Sequence, residues 1–175
     1  MKKFGLNGCL IGLLMAGVVC LPAGSAEARG REFLGGFRDW DAFMERRADG
    51  EKSCYMISVP KETEPKNVNR GEIYVIITHW PSENRRNEVN VVVGYPFKKD
   101  TTVTARVDDR SFRMFTQGDR AWAYDAKQDQ DMVTAMKRGS KLVIQGESHR
   151  GTKTTDRYSL AGFTAALNAI TKACF

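Results

Sequence analysis

Along most of this chain apolar and polar residues change places at short intervals, the pattern of short β-strands separated by turns. Phe37 to Phe43 carries Phe37, Trp40 and Phe43. It leads through a polar stretch with Asp49-Gly50 to Cys54-Tyr55-Met56-Ile57-Ser58-Val59, and reads with it as two strands joined by a turn. Pro60 to Arg70 is rich in Lys, Glu and Pro and reads as a surface connection. Ile73 to Thr78 and Val89 to Val93 are nearly all β-branched or aromatic. Both are apolar on successive residues, which predicts strands buried on both faces. Between them lies a loop from His79-Trp80-Pro81 through Arg85-Arg86-Asn87, and Pro96, lacking an N–H, ends the second strand at Gly94-Tyr95-Pro96-Phe97.

Thr102 to Val107 alternates cleanly and turns at Asp108-Asp109-Arg110 into Phe112, Met114 and Thr116. Gly118-Asp119 turns again into Ala121-Trp122-Ala123-Tyr124, a β-meander. Leu142-Val143-Ile144 and Thr152 to Tyr158 form a last strand pair around Ser148-His149-Arg150-Gly151. Two segments follow the helical period instead. Asp129 to Arg138 spaces Met132, Val133 and Met136 along a helix that Gly139 is placed to end. In the tail, Leu160, Phe163, Leu167, Ile170 and Cys174 line one helical face, with Ser159 as the expected N-cap. About nine short strands, one internal helix and a C-terminal helix predict a mainly β chain, a single-domain antiparallel β-sandwich over residues 37–175. A closed barrel is the alternative.

The opening departs from this rhythm. Lys2 and Lys3 precede an apolar run from Leu10 to Leu21, and Ala26-Glu27-Ala28 supplies small residues for cleavage. The run is about a dozen residues, short of the ~20 a spanning helix needs. Residues 1–28 are therefore expected to be a signal peptide, with residues 29–36 a loose leader to the domain. The expected product is exported, periplasmic or at the outer surface, with no membrane span once the signal is removed.

Export changes the meaning of the cysteines. Cys9 and Cys20 leave with the signal, and Cys54 and Cys174 remain. In an oxidising compartment such a pair is expected to form a disulfide. The closed loop of 120 residues corresponds to roughly 4–5 kcal/mol of chain entropy. The formal net charge of +6 falls by one when Lys2, Lys3 and Glu27 are removed. That mild excess, with no basic stripe, argues against nucleic acid as a partner.

No constellation of catalytic residues stands out. His79 and His149 sit in separate segments without cysteine or carboxylate at ligand spacing, so no metal site is expected. Ser148-His149 lacks the supported turn of a nucleophile, and there is no phosphate-cradling glycine loop. Asp39, Asp41, Asp108 and Asp109 read as solvated turn residues. No catalytic residue and no cofactor are expected. The aromatics Trp40, Trp122, Tyr95 and Phe97 read as core. Trp80 differs, because beside Arg85 and Arg86 it would form a contact patch. Arg150 and Lys153 make a second basic group of possible contacts.

The order of these features resembles the invasion-associated locus B family of exported bacterial proteins. The matching residues run from Asp39-Trp40 through Cys54-Tyr55 and Ser58, Gly94-Tyr95-Pro96-Phe97, Ala121-Trp122-Ala123 and Ala135-Met136 with Gly139. They continue through Ser148, Arg150-Gly151-Thr152, Asp156, Tyr158-Ser159-Leu160, Gly162-Phe163 and Ala165-Ala166-Leu167 to Ala173-Cys174. The resemblance implies a cell-envelope protein of Gram-negative bacteria with a β-sandwich-like fold and no catalytic residues to carry over. The family is named for host-cell invasion by one pathogenic genus. The expectation is a non-enzymatic binding or accessory module whose partner is an envelope or host protein or glycan. A secreted adhesion or invasion factor is the first alternative, and an envelope hydrolase using a carboxylate pair is the second.

Overall fold

The computed structural model describes residues 30–175, so the expected signal peptide at residues 1–28 lies outside the described residues. In chain order the elements are β1 (Gly30–Phe37), β2 (Trp40–Arg46), β3 (Lys52–Ser58), β4 (Glu62–Glu64), β5 (Tyr74–Trp80), β6 (Arg85–Val92), β7 (Val103–Val107), β8 (Arg110–Gln117) and β9 (Arg120–Trp122). They continue as α1 (Ala126–Arg138), β10 (Lys141–Glu147), β11 (Lys153–Ser159) and α2 (Phe163–Cys174). The strands form one sheet in the order β1-β2-β3-β5-β6-β9-β8-β7-β10-β11-β4, with every pairing antiparallel.

The expected mainly β, sandwich-like architecture is present, with a continuous ladder in place of two separate sheets. The joint is β8. Its first part, Arg110 to Met114, pairs with β7, and its last part, Phe115 to Gln117, pairs with β9. The sheet divides there into two wings, β1-β2-β3-β5-β6-β9 and β7-β10-β11-β4. Both wings and both helices contribute to one apolar core, including Met56, Ile77, Val91, Met114, Ile144 and Phe163. The sheet is open, its outermost strands being β1 and β4.

Eleven strands stand where nine were expected. The two additions are those same outermost strands. Residues 30–36, expected as a loose leader, are part of β1, paired with β2 from Gly30↔Arg46 to Phe37↔Trp40. All three residues of β4 lie within the expected surface connection and pair with β11. A strand at a sheet edge buries little, so glycine and charge are tolerated there and the apolar alternation is lost. Leu34 and Phe37 of β1 pack against the core, and Phe33 pairs with Phe43 across the β1–β2 ladder.

Helix α1 starts earlier than the periodicity suggested, because the Asp125 carboxylate accepts a 2.7 Å hydrogen bond from the Gln128 N–H and caps it. Gly139 does end the helix, in an extended rather than left-handed conformation. A Cβ there would lie 2.6 Å from Val107 Cγ1, so close packing on β7 is what requires glycine. Ser159 is not the cap of α2. It remains in β11 and its Oγ accepts from the Ala161 N–H, while Gly162, with φ 92°, precedes the helix. A Cβ at Gly162 would stand 1.7 Å from the Phe37 carbonyl oxygen, so the chain there can be only glycine.

The apolar face expected of α2 is the buried one, with Phe163, Leu167, Ile170 and Cys174 all in the core. Cys174 is disulfide-bonded to Cys54 of β3, their Cα atoms 5.9 Å apart. At the other end of the helix, Phe163 packs edge-on against Trp40, whose indole N–H donates to the Ser159 carbonyl. Helix α2 is thereby held to the inner face of the first wing at both ends.

Candidate binding groove

The strands of the first wing point alternate side chains to opposite faces. In β5, Val75, Ile77 and His79 face the core, while Tyr74, Ile76, Thr78 and Trp80 face outward. In β3, Cys54 and Met56 face inward, and Ser53, Tyr55 and Ile57 face outward. The expectation of burial on both faces therefore needs correction for β5. Its outer apolar side chains are half-buried in an open concavity, with no second layer over them among the described residues. In β6 the run Val89 to Val92 is buried throughout, as expected.

That concavity is a groove of about 820 Å³ running across the outer face of the wing. Strand register lays out its floor. One cross-strand row runs Phe33, Phe43, Tyr55, Thr78 and Glu88. The next runs Ile57, Ile76, Asn90, Trp122 and Phe115. Aromatic groups cluster at both ends. Phe43 stacks on Tyr55 at 5.3 Å and touches Phe33 at the same centroid separation. Trp122 stacks on Phe115 at 5.6 Å, and Phe115 meets Tyr124 at 5.7 Å.

Polar groups are interleaved with these rings. The Arg31 guanidinium lies 5.3 Å from the Phe43 ring centre and that of Arg47 lies 4.6 Å from the Trp80 ring centre, both at cation–π range. Trp80 is held by its own N–H, which donates to Glu88 Oε1 at 3.1 Å. Glu88 in turn pairs with Arg85, whose guanidinium also reaches Glu83 at 2.9 Å. Arg120 donates to Asn90 Oδ1 at 3.2 Å across the floor.

The residues singled out in the sequence do not all meet here. Trp80 ends β5 at the groove, and Arg85 lies against it, 5.6 Å from the ring centre. Arg86 is turned to the opposite side, its guanidinium 3.3 Å from the centre of the Phe175 ring. The local twist comes from Asn84 and Asn87, both at positive φ. Arg150 is exposed in the turn after β10, and Lys153 begins β11 on the second wing, beside a shallower depression with Asp100, Gln145 and Glu147. Neither lines the groove.

Trp122, expected in the core, lies on the groove floor. Trp40 and Tyr95 are core residues as expected, and Phe97 packs against that core. Phe43, Tyr55, Arg31 and Arg47 are not among the contact residues the sequence suggests. The signal for Phe43 and Tyr55 lies in the period of β2 and β3. Both faces of those strands carry large groups, although a two-layer domain has only one interior to fill.

The titratable groups outside the groove serve the fold. His79 is in β5 and buried, not in a loop. Its Nδ1 accepts from the Asn87 N–H, so Nε2 carries the proton and donates to Thr171 Oγ1 at 3.0 Å. Burial, reinforced by Arg86, lowers its pKa to about 4. Asp129 is buried on α1 and accepts from the Val89 N–H at 2.8 Å. Burial raises its pKa to about 6. Ser148 Oγ accepts from the Thr152 N–H, while His149 faces the Pro96 carbonyl, so the two serve separate turn contacts. Asp108 Oδ1 and Oδ2 bind Ser140 and the Lys141 N–H, and those hydrogen bonds hold its carboxyl below the usual range. Asp39 pairs with Lys61. No group of three or more His, Cys, Asp or Glu side chains among the described residues is arranged to hold a metal ion.

A family model for the invasion associated locus B protein matches residues 40–171, most of the described chain. The chain belongs to the invasion-associated locus B family. Its groove residues Phe43, Tyr55, Trp80 and Trp122 all fall within the matched span. No curated protein matches the chain. Among solved structures, the crystal structure of invasion associated protein B from Bartonella henselae is similar, with a TM-score of 0.55 and 16% identity. The alignment covers 79% of this chain and 96% of that one, and at this identity it shows a shared fold. No helix among the described residues is long and apolar enough to cross a membrane.

Proposed function

We propose that this member of the invasion-associated locus B family is an exported, non-enzymatic envelope protein that acts by binding, and that the groove of the first wing is its binding surface. One observation carries the reading. The sheet uses its inner face to build the core and still places Phe43, Tyr55, Ile57, Ile76, Trp80 and Trp122 along its outer face. These side chains are half-buried in a concave site that combines apolar and aromatic groups with a few placed polar ones, the make-up of a ligand-binding cleft. Trp80 is half-buried with the exposed Arg47 guanidinium over its ring, an aromatic–Arg pairing of the kind enriched where binding energy concentrates.

Export is supported by the charged and apolar start of the chain and by the Cys54–Cys174 bond, which suits an oxidising compartment. Intact mass of the protein recovered from the periplasm should correspond to a chain starting at Arg29. A mass retaining residues 1–28 would contradict the export reading. For the binding surface, photo-crosslinking in living cells from position 80 should give a discrete adduct, whereas position 150 should not. Equal labelling from both positions, or none from position 80, would count against the groove.

The name of the Bartonella neighbour favours a second reading, a surface-exposed or secreted factor that contacts host cells. The same groove would serve it. Fractionation decides between the two. Protein held wholly in the periplasm excludes the host-directed role.

A further inference from the structure

We propose that the groove takes an uncharged oligosaccharide, recognised by side chains alone across several sugar rings. This rests on the reading of the groove as the binding surface and goes on to name the ligand's chemistry. Three features of the site select it.

The first is the charge balance. Arg31, Arg47 and Arg120 line the groove, and so do Glu45, Glu72 and Glu88. The two sets cancel, so an acidic or basic ligand gains little from the field of the site. A polyhydroxylated neutral ligand gains much. Each hydroxyl both donates and accepts, and the lining offers it donors (Arg31 on β1, Arg120 on β9) as well as acceptors (Glu45 on β2, Glu88 on β6).

The second is the floor. It is built by β2, β3, β5, β6 and β9, which are interior strands whose backbone groups are spent on neighbouring strands. An extended peptide binds a sheet by adding to an edge, where free N–H and C=O groups can satisfy its own backbone. The nearest free edge is that of β1 at one end of the groove, so an extended peptide laid across the floor from β2 to β9 would leave its amides without sheet partners, at a cost in desolvation.

The third is the arrangement of the rings. Phe43 with Tyr55 at one end and Trp122 at the other, its ring backed by Phe115 just beyond the groove, are separated by the aliphatic and small polar middle of Ile57, Ile76 and Asn90. From β2 to β9 is four interstrand spacings, roughly 19 Å. The apolar C–H faces of pyranose rings pack on aromatic faces, and this length accommodates several rings in line.

The test uses the mature protein and an array of neutral and acidic oligosaccharides of three or more sugars, with hits titrated by tryptophan fluorescence. Trp40 is buried, so Trp80 and Trp122 are the responsive reporters. Neutral oligosaccharides should bind with Kd of about 1 mM or tighter. Trp80→Ala and Trp122→Ala should each weaken binding about tenfold or more, Trp122→Phe should retain most of it, and added salt should change Kd little. Near-UV circular dichroism and thermal melts establish that each variant is folded. Should Trp122→Ala fail to fold, Arg31→Ala at the exposed rim supplies the comparison and should weaken binding several-fold. Binding only to acidic glycans, with steep salt dependence, would overturn the proposal. Silence across the array together with a discrete crosslink from position 80 would overturn the glycan and leave the binding groove standing. Silence together with no crosslink would overturn both.

Discussion

Arg70 and Asp156 form a buried, two-pronged ion pair, with Nη1 to Oδ1 at 2.7 Å and Nη2 to Oδ2 at 2.6 Å. Their side chains are 6% and 0% exposed, and Arg70 also donates from Nε and Nη2 to the Val93 carbonyl. The pair joins the chain entering and leaving the central strands of the first wing to β11 of the second. Beside it, Tyr95 hydrogen-bonds Thr154 at 2.6 Å and takes the Arg70 guanidinium at 5.1 Å from its ring centre. The groove's floor depends on this connection, because β5 begins four residues after Arg70.

Removing one partner strands the other charge in the core. Asp156→Ala and Arg70→Ala should each lower unfolding free energy by about 3–5 kcal/mol in urea titrations. Arg70→Met combined with Asp156→Leu should cost clearly less than the two single losses added together. Additive losses would mean that the two groups act independently.

The Cys54–Cys174 bond closes a loop of 120 residues. A thiol assay on the denatured, unreduced mature protein should find no reactive sulfur. Replacing both cysteines with serine should lower stability by roughly 4–5 kcal/mol if the chain-entropy account holds. The groove lies on the opposite face of β3, so ligand or crosslinking behaviour at saturation of folding should be unchanged. Two free thiols, or a negligible change in stability, would contradict the role given to this bond.

His79 and Asp129 should oppose each other in the pH dependence of stability. The folded-state pKa of His79 is lowered from 6.5 to about 4. Between those values the unfolded state binds more protons, so its contribution falls as pH drops from 6.5 towards 4. Asp129 is raised from 3.8 to about 6. In that window the folded state binds more protons, so its contribution falls as pH rises towards 6. Urea midpoints from pH 4 to 6.5 should therefore drop more steeply on acidification in Asp129→Asn than in the unsubstituted protein, and less steeply in His79→Gln. Identical slopes in all three proteins would show that neither residue carries its shifted proton.

The parts of this architecture that sequence revealed and concealed divide along physical lines. Ile73 to Thr78, Val89 to Val93 and Val103 to Val107 announce themselves because strands packed on a core must be apolar at fixed intervals. The face of α2 is legible for the same reason. Strands β1 and β4 stayed hidden because edge strands tolerate Gly35, Gly36, Glu62 and Glu64. Arg70 looked like part of a solvated Lys-, Glu- and Pro-rich stretch, since a buried charge and an exposed one are the same letter until the partner 86 positions away is located. Trp122 looked like core because size alone does not tell which side of a strand a ring occupies. Trp80 was visible as a contact residue, but its companions Phe43, Tyr55 and Arg47 become neighbours only through strand register.

The central claim is that the outer face of the first wing is covered in the cell. Hydroxyl-radical footprinting of the protein in intact envelopes and after purification tests it directly. Tyr55, Tyr74, Trp80 and Trp122 should oxidise markedly more slowly in the envelope than in the purified protein, with His149 and Phe175 as reference sites that change little. Equal oxidation of the groove aromatics in both states, or protection centred on the His149-Arg150 turn instead, would contradict it.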